Sequence, residues 1–128
     1  MTKQKILLIE DDEDQILMYQ TKLELEGFSI FAAETAEKGL LLAKEERPNL
    51  VLLDLLLKEL TVPTGLEILK KLKAEKITKD IPVVVLTNFG TMEVKQESMR
   101  LGATDFIIKS QITPSKLVEI IRKSLNKK

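Results

Sequence analysis

Three short apolar runs, residues 6–9, Leu50–Leu53 and residues 83–86, interrupt a chain that is otherwise mixed in polarity. None shows the polar alternation of a half-exposed strand, so each reads as a strand buried on both faces, as in parallel sheets covered by helices. The segments between them are long enough to hold crossover helices. Two weaker candidates, Ser29–Ala33 and Asp105–Ile108, bring the expected number of strands to five.

Helical spacing is clearest at the end of the chain, where Leu117, Ile120, Ile121 and Leu125 recur behind Thr113 as N-cap and Pro114 at the first helical position. Asp12 followed by Gln15 resembles a capping box, and the helix it opens should stop at Gly27. Thr35 can cap a helix carrying Ala36, Leu40 and Ala43 that ends before Arg47-Pro48, because proline disfavours helix in the residue ahead of it. Thr64 or Gly65 opens another, with Ile68, Leu69 and Leu72 inward and Pro82 leading into the fourth strand. Residues 91–101 form the weakest helix, with a thin stripe of Val94, Met99 and Leu101.

Strand and helix thus alternate five times, the α/β doubly wound pattern with right-handed crossovers. One domain, residues 1–128, accounts for the whole length. In such sheets the ligand site lies at the carboxyl ends of the strands.

Composition narrows the chemistry. Lys plus Arg and Asp plus Glu are 20 each, so no global charge excess favours nucleic acid or an anionic membrane. With no Cys and no His, disulfides, thiol chemistry, Ser-His-Asp triads and zinc hydrolysis are excluded. The N-terminal residues show neither a signal peptide nor a membrane span, and a cytoplasmic location is expected.

The first strand runs into Glu10, Asp11, Asp12, Glu13 and Asp14, the third into Asp54, the fourth into Thr87 and the fifth into Lys109. At least three carboxylates converge with one hydroxyl and one ammonium. Like charges about 4 Å apart repel by about 4 kcal/mol per pair at an effective dielectric near 20, so the cluster calls for a cation. Hard oxygen donors suit Mg²⁺, and a carboxylate such as Asp54 is an established nucleophile for making an acyl phosphate without a general base. Each residue alone has a plainer explanation: a turn former or helix cap for the acids, a strand end for Thr87, a surface charge for Lys109. Their conjunction on four strand ends makes coincidence a poor account.

These same segments, Lys5-Ile-Leu-Leu-Ile-Glu-Asp-Asp, Val51-Leu-Leu-Asp54, Val83-Val-Val-Leu-Thr87 and Gly102-Ala-Thr-Asp-Phe-Ile-Ile-Lys109, resemble the receiver domains of response regulators, of the CheY type. The resemblance spans almost the whole chain and implies a flavodoxin-like five-stranded sheet in order 2-1-3-4-5. It also implies a phosphoacceptor signalling domain with Mg²⁺-dependent phosphotransfer and self-dephosphorylation, not a conventional enzyme. Asp54 is then the phosphoacceptor; Asp11, Asp54 and the Leu56 carbonyl bind Mg²⁺, with Glu10 acting through water. Thr87 and Lys109 contact the phosphoryl group, and Thr87 with Phe106 forms the switch that reshapes the face of helix 4, strand 5 and helix 5. The implied partners are a histidine kinase or phosphotransfer protein, a downstream protein on that face, and a second copy in a phosphorylation-dependent homodimer, with no direct contact to nucleic acid or membrane.

Several positions depart from the family pattern. Lys109 is followed by Ser110 where the family commonly has Pro, and residues 55–65, carrying Pro63, form a loop about three residues longer than usual. Leu56 and Phe89 each lie two residues beyond a site residue and cannot orient water, which suggests a long-lived phosphorylated state. Asn88 stands where the family prefers a small residue and is expected to narrow access. Among rival readings, five acidic residues would repel a flavin phosphate, Leu56 replaces the second Asp of a haloacid-type phosphatase, and Arg122, Lys123, Lys127 and Lys128 fit a helix C-terminus better than a nucleic-acid surface. A phosphate-independent binding module is the main alternative. The chain ends soon after the fifth helix, so these residues are expected to carry no output domain, whether as a stand-alone regulator or as a piece of a longer one.

Overall fold

A computed structural model describes residues 2–57 and 65–126. Strands and helices alternate as β1 (Lys5–Ile9), α1 (Glu13–Leu25), β2 (Ser29–Ala33), α2 (Ala36–Glu46), β3 (Leu50–Leu53), α3 (Gly65–Ala74), β4 (Val83–Thr87), α4 (Met92–Arg100), β5 (Asp105–Ile108) and α5 (Pro114–Leu125), with a 3₁₀ turn over Lys109–Gln111. The sheet is parallel throughout, in the order β2-β1-β3-β4-β5. This is the doubly wound, CheY-like architecture expected from the sequence.

Successive residues of the central strands feed opposite faces, which is why their sequences show no polar alternation. Ile6, Leu8, Leu50, Leu52, Val84 and Leu86 pack under α1 and α5, against Ile16, Leu23, Leu117 and Ile121. Leu7, Ile9, Val51, Leu53, Val83 and Val85 pack under α2 and α3, against Ala43, Ile68, Leu69 and Leu72. Fully burying one such side chain is worth about 1.5–3 kcal/mol, so a polar residue anywhere in these runs would be costly.

Helix ends follow the sequence with instructive exceptions. Asp12, Thr35, Thr91 and Thr113 each accept a backbone N–H from the first turn of their helix. α1 closes in a Schellman arrangement, Gly27 N–H to Glu24 O and Phe28 N–H to Leu23 O, with Gly27 at φ 97° where a side chain would be strained. α2 stops before Pro48 as expected, but Arg47 takes a left-handed conformation, φ 46° and ψ 62°, instead of the extended one common before proline. In α4 the expected stripe is only partly inward. Met99 is 43% exposed, while Ser98 is buried with its hydroxyl donating to Val94 O at 2.8 Å. A hydroxyl that satisfies itself on the preceding turn can enter the core position that an apolar pattern would assign to its neighbour. α3 begins at Gly65; Thr64, Pro63 and the lengthened part of the loop at residues 58–64 lie outside the described residues, as do Lys127 and Lys128.

Candidate functional site

Register brings the chemistry-bearing residues together. Ile9 pairs with Leu53, Leu53 with Val85, and Thr87 with Ile108, so Glu10, Asp54, Thr87 and Lys109 emerge at one edge. Backbone pairing continues one residue beyond the strands, with Asp54 N–H donating to Ile9 O and Glu10 N–H to Ala33 O, both at 3.0 Å.

Glu10, Asp54 and Thr87 are all buried. Lys109, with a side chain 8% exposed, donates to Asp54 Oδ2 at 2.7 Å and to Glu10 Oε1. Asp54 Oδ1 accepts the Thr87 hydroxyl at 2.9 Å and the Leu56 N–H at 3.0 Å. The Thr87 Oγ1 in turn accepts the Phe89 N–H at 3.2 Å. The carboxylate of Asp54 is thus fixed at both oxygens by donors drawn from three elements, with the loop after Thr87 bonded to the same network.

Glu10 is held more firmly than the sequence implied. Its Oε2 accepts the Asp12 N–H at 3.1 Å, the group that a reciprocal capping box would have satisfied from Gln15. Asp12 still caps α1 through its own Oδ1, but Gln15 Oε1 is buried with no hydrogen-bond partner. The capping box is therefore replaced by a Glu10–Asp12 bond that orients the Glu10 carboxylate toward Lys109.

Burial raises the pKa of Glu10, and the charge of Asp54 raises it further, against the opposing pull of Lys109 and the Asp12 N–H. Burial works against the Lys109 ammonium, yet its hydrogen bonds and charge pairing with Asp54 and Glu10 outweigh it and raise the pKa. One ammonium faces two buried carboxylates, leaving a net negative charge before Asp11 is counted. Tyr19, which the sequence reading did not single out, lies close enough for its raised pKa, due first to burial, to feel Lys109, Glu10 and Asp54. Its position three residues after Ile16 and four before Leu23 was the available signal.

The donor set suits a hard divalent cation. All side-chain donors are carboxylate oxygens, and Mg²⁺ takes only one or two carboxylates with several waters, not a closed protein cage. Among the described residues no three acidic side chains draw together tightly enough to form such a cage. Asp11 follows Glu10 directly and is half-buried. Leu56 and Phe89 contribute backbone N–H groups to the site, while the residues as a whole are 48% and 38% exposed.

The family model described as the response regulator receiver domain matches residues 6–122. The chain belongs to that family. Among its relatives, the phosphate regulon transcriptional regulatory protein PhoB of Pseudomonas aeruginosa is 32% identical over 96% of this chain and 52% of its own length. The polar-differentiation response regulator DivK of Brucella ovis is 30% identical, covering 98% of each. The chain thus spans about half the length of PhoB and nearly all of DivK. A solved receiver domain of a Pseudomonas aeruginosa sensor histidine kinase, 19% identical, superposes with a TM-score of 0.84 over 98% of this chain and 100% of that one; it carries a magnesium ion in its active-site cleft.

Elsewhere on this receiver, Arg122 of α5 has local partners. Arg122 donates to Glu26 Oε1 at 3.2 Å and its guanidinium lies 5.6 Å from the Phe28 ring centroid. No helix among the described residues is long and apolar enough to cross a membrane.

Proposed function

We propose that this receiver accepts a phosphoryl group on Asp54 from a histidine kinase, a phosphotransfer protein or a small phosphodonor, in a Mg²⁺-dependent reaction. The observation that carries the reading is the Asp54 carboxylate itself, buried at the sheet edge and held by Thr87, Leu56 N–H and Lys109. A carboxylate oxygen forms the new O–P bond as the P–N bond of a phosphohistidine donor breaks, the imidazole leaving with the electron pair. Asp11, Asp54 and the Leu56 carbonyl, with Glu10 through water, would hold the ion. Bound Mg²⁺ supplies neutralisation of the phosphoryl oxygens. Lys109 stays beside Asp54 and offers its ammonium to a phosphoryl oxygen, and Thr87 exchanges the carboxylate for another. Positioning and charge stabilisation do the rest, so the absence of histidine is no obstacle.

The reading extends to output. Movement of Thr87 toward the phosphoryl group would draw on the loop after β4 and on Phe106, remodelling the groove of about 430 Å³ whose lining includes Met92, Lys95, Phe106, Ile108, Ile112 and Lys116. A downstream protein, or a second copy of the chain, would read that face in the cytoplasm. Incubation with acetyl phosphate, with and without Mg²⁺, followed by intact mass, tests the chemistry. A single Mg²⁺-dependent phosphoryl addition, absent in Asp54→Asn, is expected; no addition would leave a phosphate-independent binding module instead, and addition that survives the substitution would point to a different acceptor.

A further inference from the structure

We propose that Asn88 is a positioning residue for this phosphoryl chemistry, acting through Ser110 to hold the Lys109 turn beside the Thr87 strand end; this rests on the reading of Asp54 as acceptor. Thr87 and Ile108 are the last paired residues of β4 and β5, so Asn88 and Lys109 leave the sheet side by side with no further ladder to align them. Lys109 opens a 3₁₀ turn whose N-cap, Ile108, makes no side-chain cap bond. The first amides of such a turn have no partner within it. Ser110 N–H finds one in Asn88 Oδ1, at 3.0 Å.

That bond joins two residues that each follow a site residue directly. On one side, the loop it anchors returns the Phe89 N–H to Thr87 Oγ1, and Thr87 donates to Asp54 Oδ1. On the other, Ser110 continues from Lys109, which donates to Asp54 Oδ2. Gly90 in the same loop lies against the Ile108 side chain, whose Cδ1 would be 1.9 Å from a Cβ added there and would have to shift. The hydroxyl and the ammonium that flank Asp54 are therefore fixed relative to each other beyond the end of the sheet. The sequence pattern agrees: a residue with a backbone N–H follows Lys109 where the resemblance expects proline, and a side chain able to accept from it follows Thr87 where a small residue is expected. Asn88 is a bonded part of the frame and not simply an obstacle at the entrance.

Phosphorylation by acetyl phosphate in the presence of Mg²⁺ is measured across donor concentrations for the parent protein, Asn88→Ala, Ser110→Pro and the double variant. Asn88→Ala should lower the maximal rate by about two- to tenfold, the kinetic equivalent of one net hydrogen bond, and leave the half-saturating donor concentration unchanged. In the Ser110→Pro background, which lacks the N–H, the same substitution should change the rate by less than about twofold, because the bond it removes is already gone. Faster phosphorylation in both backgrounds would make Asn88 an access gate and overturn the proposal; equal slowing in both, or no change in the parent background, would also overturn it. Exchange of the Ser110 amide hydrogen, followed by NMR without any phosphodonor, gives a second reading: it should accelerate in Asn88→Ala, and an unchanged rate would contradict the bond. A parent protein that takes no phosphoryl group would sink the Asp54 reading itself, a result separate from any difference among the variants.

Discussion

Lys109 and Lys73 each draw an ammonium partly out of water near a strand end, the first at the carboxyl edge of β5 and the second reaching from the last turn of α3 into the turn ahead of β4. Lys109 donates to two carboxylates, on Glu10 and Asp54, and its pKa is raised. Lys73 donates to two backbone carbonyls, Lys79 O at 3.1 Å and Ile81 O at 2.7 Å, and burial lowers its pKa despite the charge of Asp80. Carbonyl dipoles satisfy an ammonium's hydrogens without supplying the opposite charge that offsets lost hydration. Lys73 therefore closes a turn, whereas Lys109 belongs to an electrostatic network with a negative remainder. The identity of the acceptor thus sets opposite directions for the two lysine pKa shifts.

Substitution at Lys109 should show this difference at its largest. Lys109→Met leaves the Glu10 and Asp54 carboxylates buried without their counter-charge, and urea unfolding in EDTA should show a loss of about 3 kcal/mol, shrinking when Mg²⁺ is added. The phosphorylation rate should fall by about a hundredfold, the scale of losing one charge-stabilising donor. If neither quantity moves, the two lysines do not differ in the way described.

Polar replacement around the Lys109 site sharpens the contrast next. Leu56→Asn together with Phe89→Asn places groups able to orient water beside Asp54, and the lifetime of the phosphorylated protein, timed by phosphate release, should shorten by about tenfold. An unchanged lifetime would remove the apolar neighbours from the account. A smaller effect is expected at Lys73→Met: about 1 kcal/mol of stability, measured by urea unfolding, with phosphorylation within about twofold of the parent. A large loss of phosphorylation there would give Lys73 a role this comparison denies it.

The exposed Glu97–Arg100 pair sets the lower limit. The Arg100 hydrogen bond lowers the Glu97 pKa. A depressed carboxylate contributes stability that is present above its unfolded pKa and lost as pH falls through its folded value. Glu97→Gln should thus be slightly less stable than the parent at neutral pH, with the gap closing below the ordinary glutamate range and also in high salt, as read by thermal melts. A gap that widens in acid would reverse the sign of this assignment.

Much of the fold was legible because the central strands bury both faces, so β1, β3 and β4 stand out as unbroken apolar runs. Parallel alternation alone places Glu10, Asp54, Thr87 and Lys109 on one edge, and the register brings them together. What stayed hidden depends on contacts between elements. The Asp12 N–H chooses Glu10 over Gln15 because strand β1 delivers a carboxylate to the start of α1, which a local capping pattern does not encode. Ser98 displaces Met99 from the inner face of α4 because its hydroxyl bonds to its own helix. The Lys73 carbonyls belong to a turn six to eight residues away, and Asn88 meets Ser110 across two strand ends, so neither pair shows a periodic signal.

The most direct test of the central claim is to locate the phosphoryl group on the chain. Borohydride reduces an acyl phosphate of aspartate to homoserine, so protein labelled with acetyl phosphate and Mg²⁺, reduced, digested and sequenced by tandem mass spectrometry should carry homoserine at position 54 and at no other aspartate. Homoserine at position 11 or 12, or its absence from a protein shown by mass to be phosphorylated, would contradict the assignment of Asp54 as the acceptor.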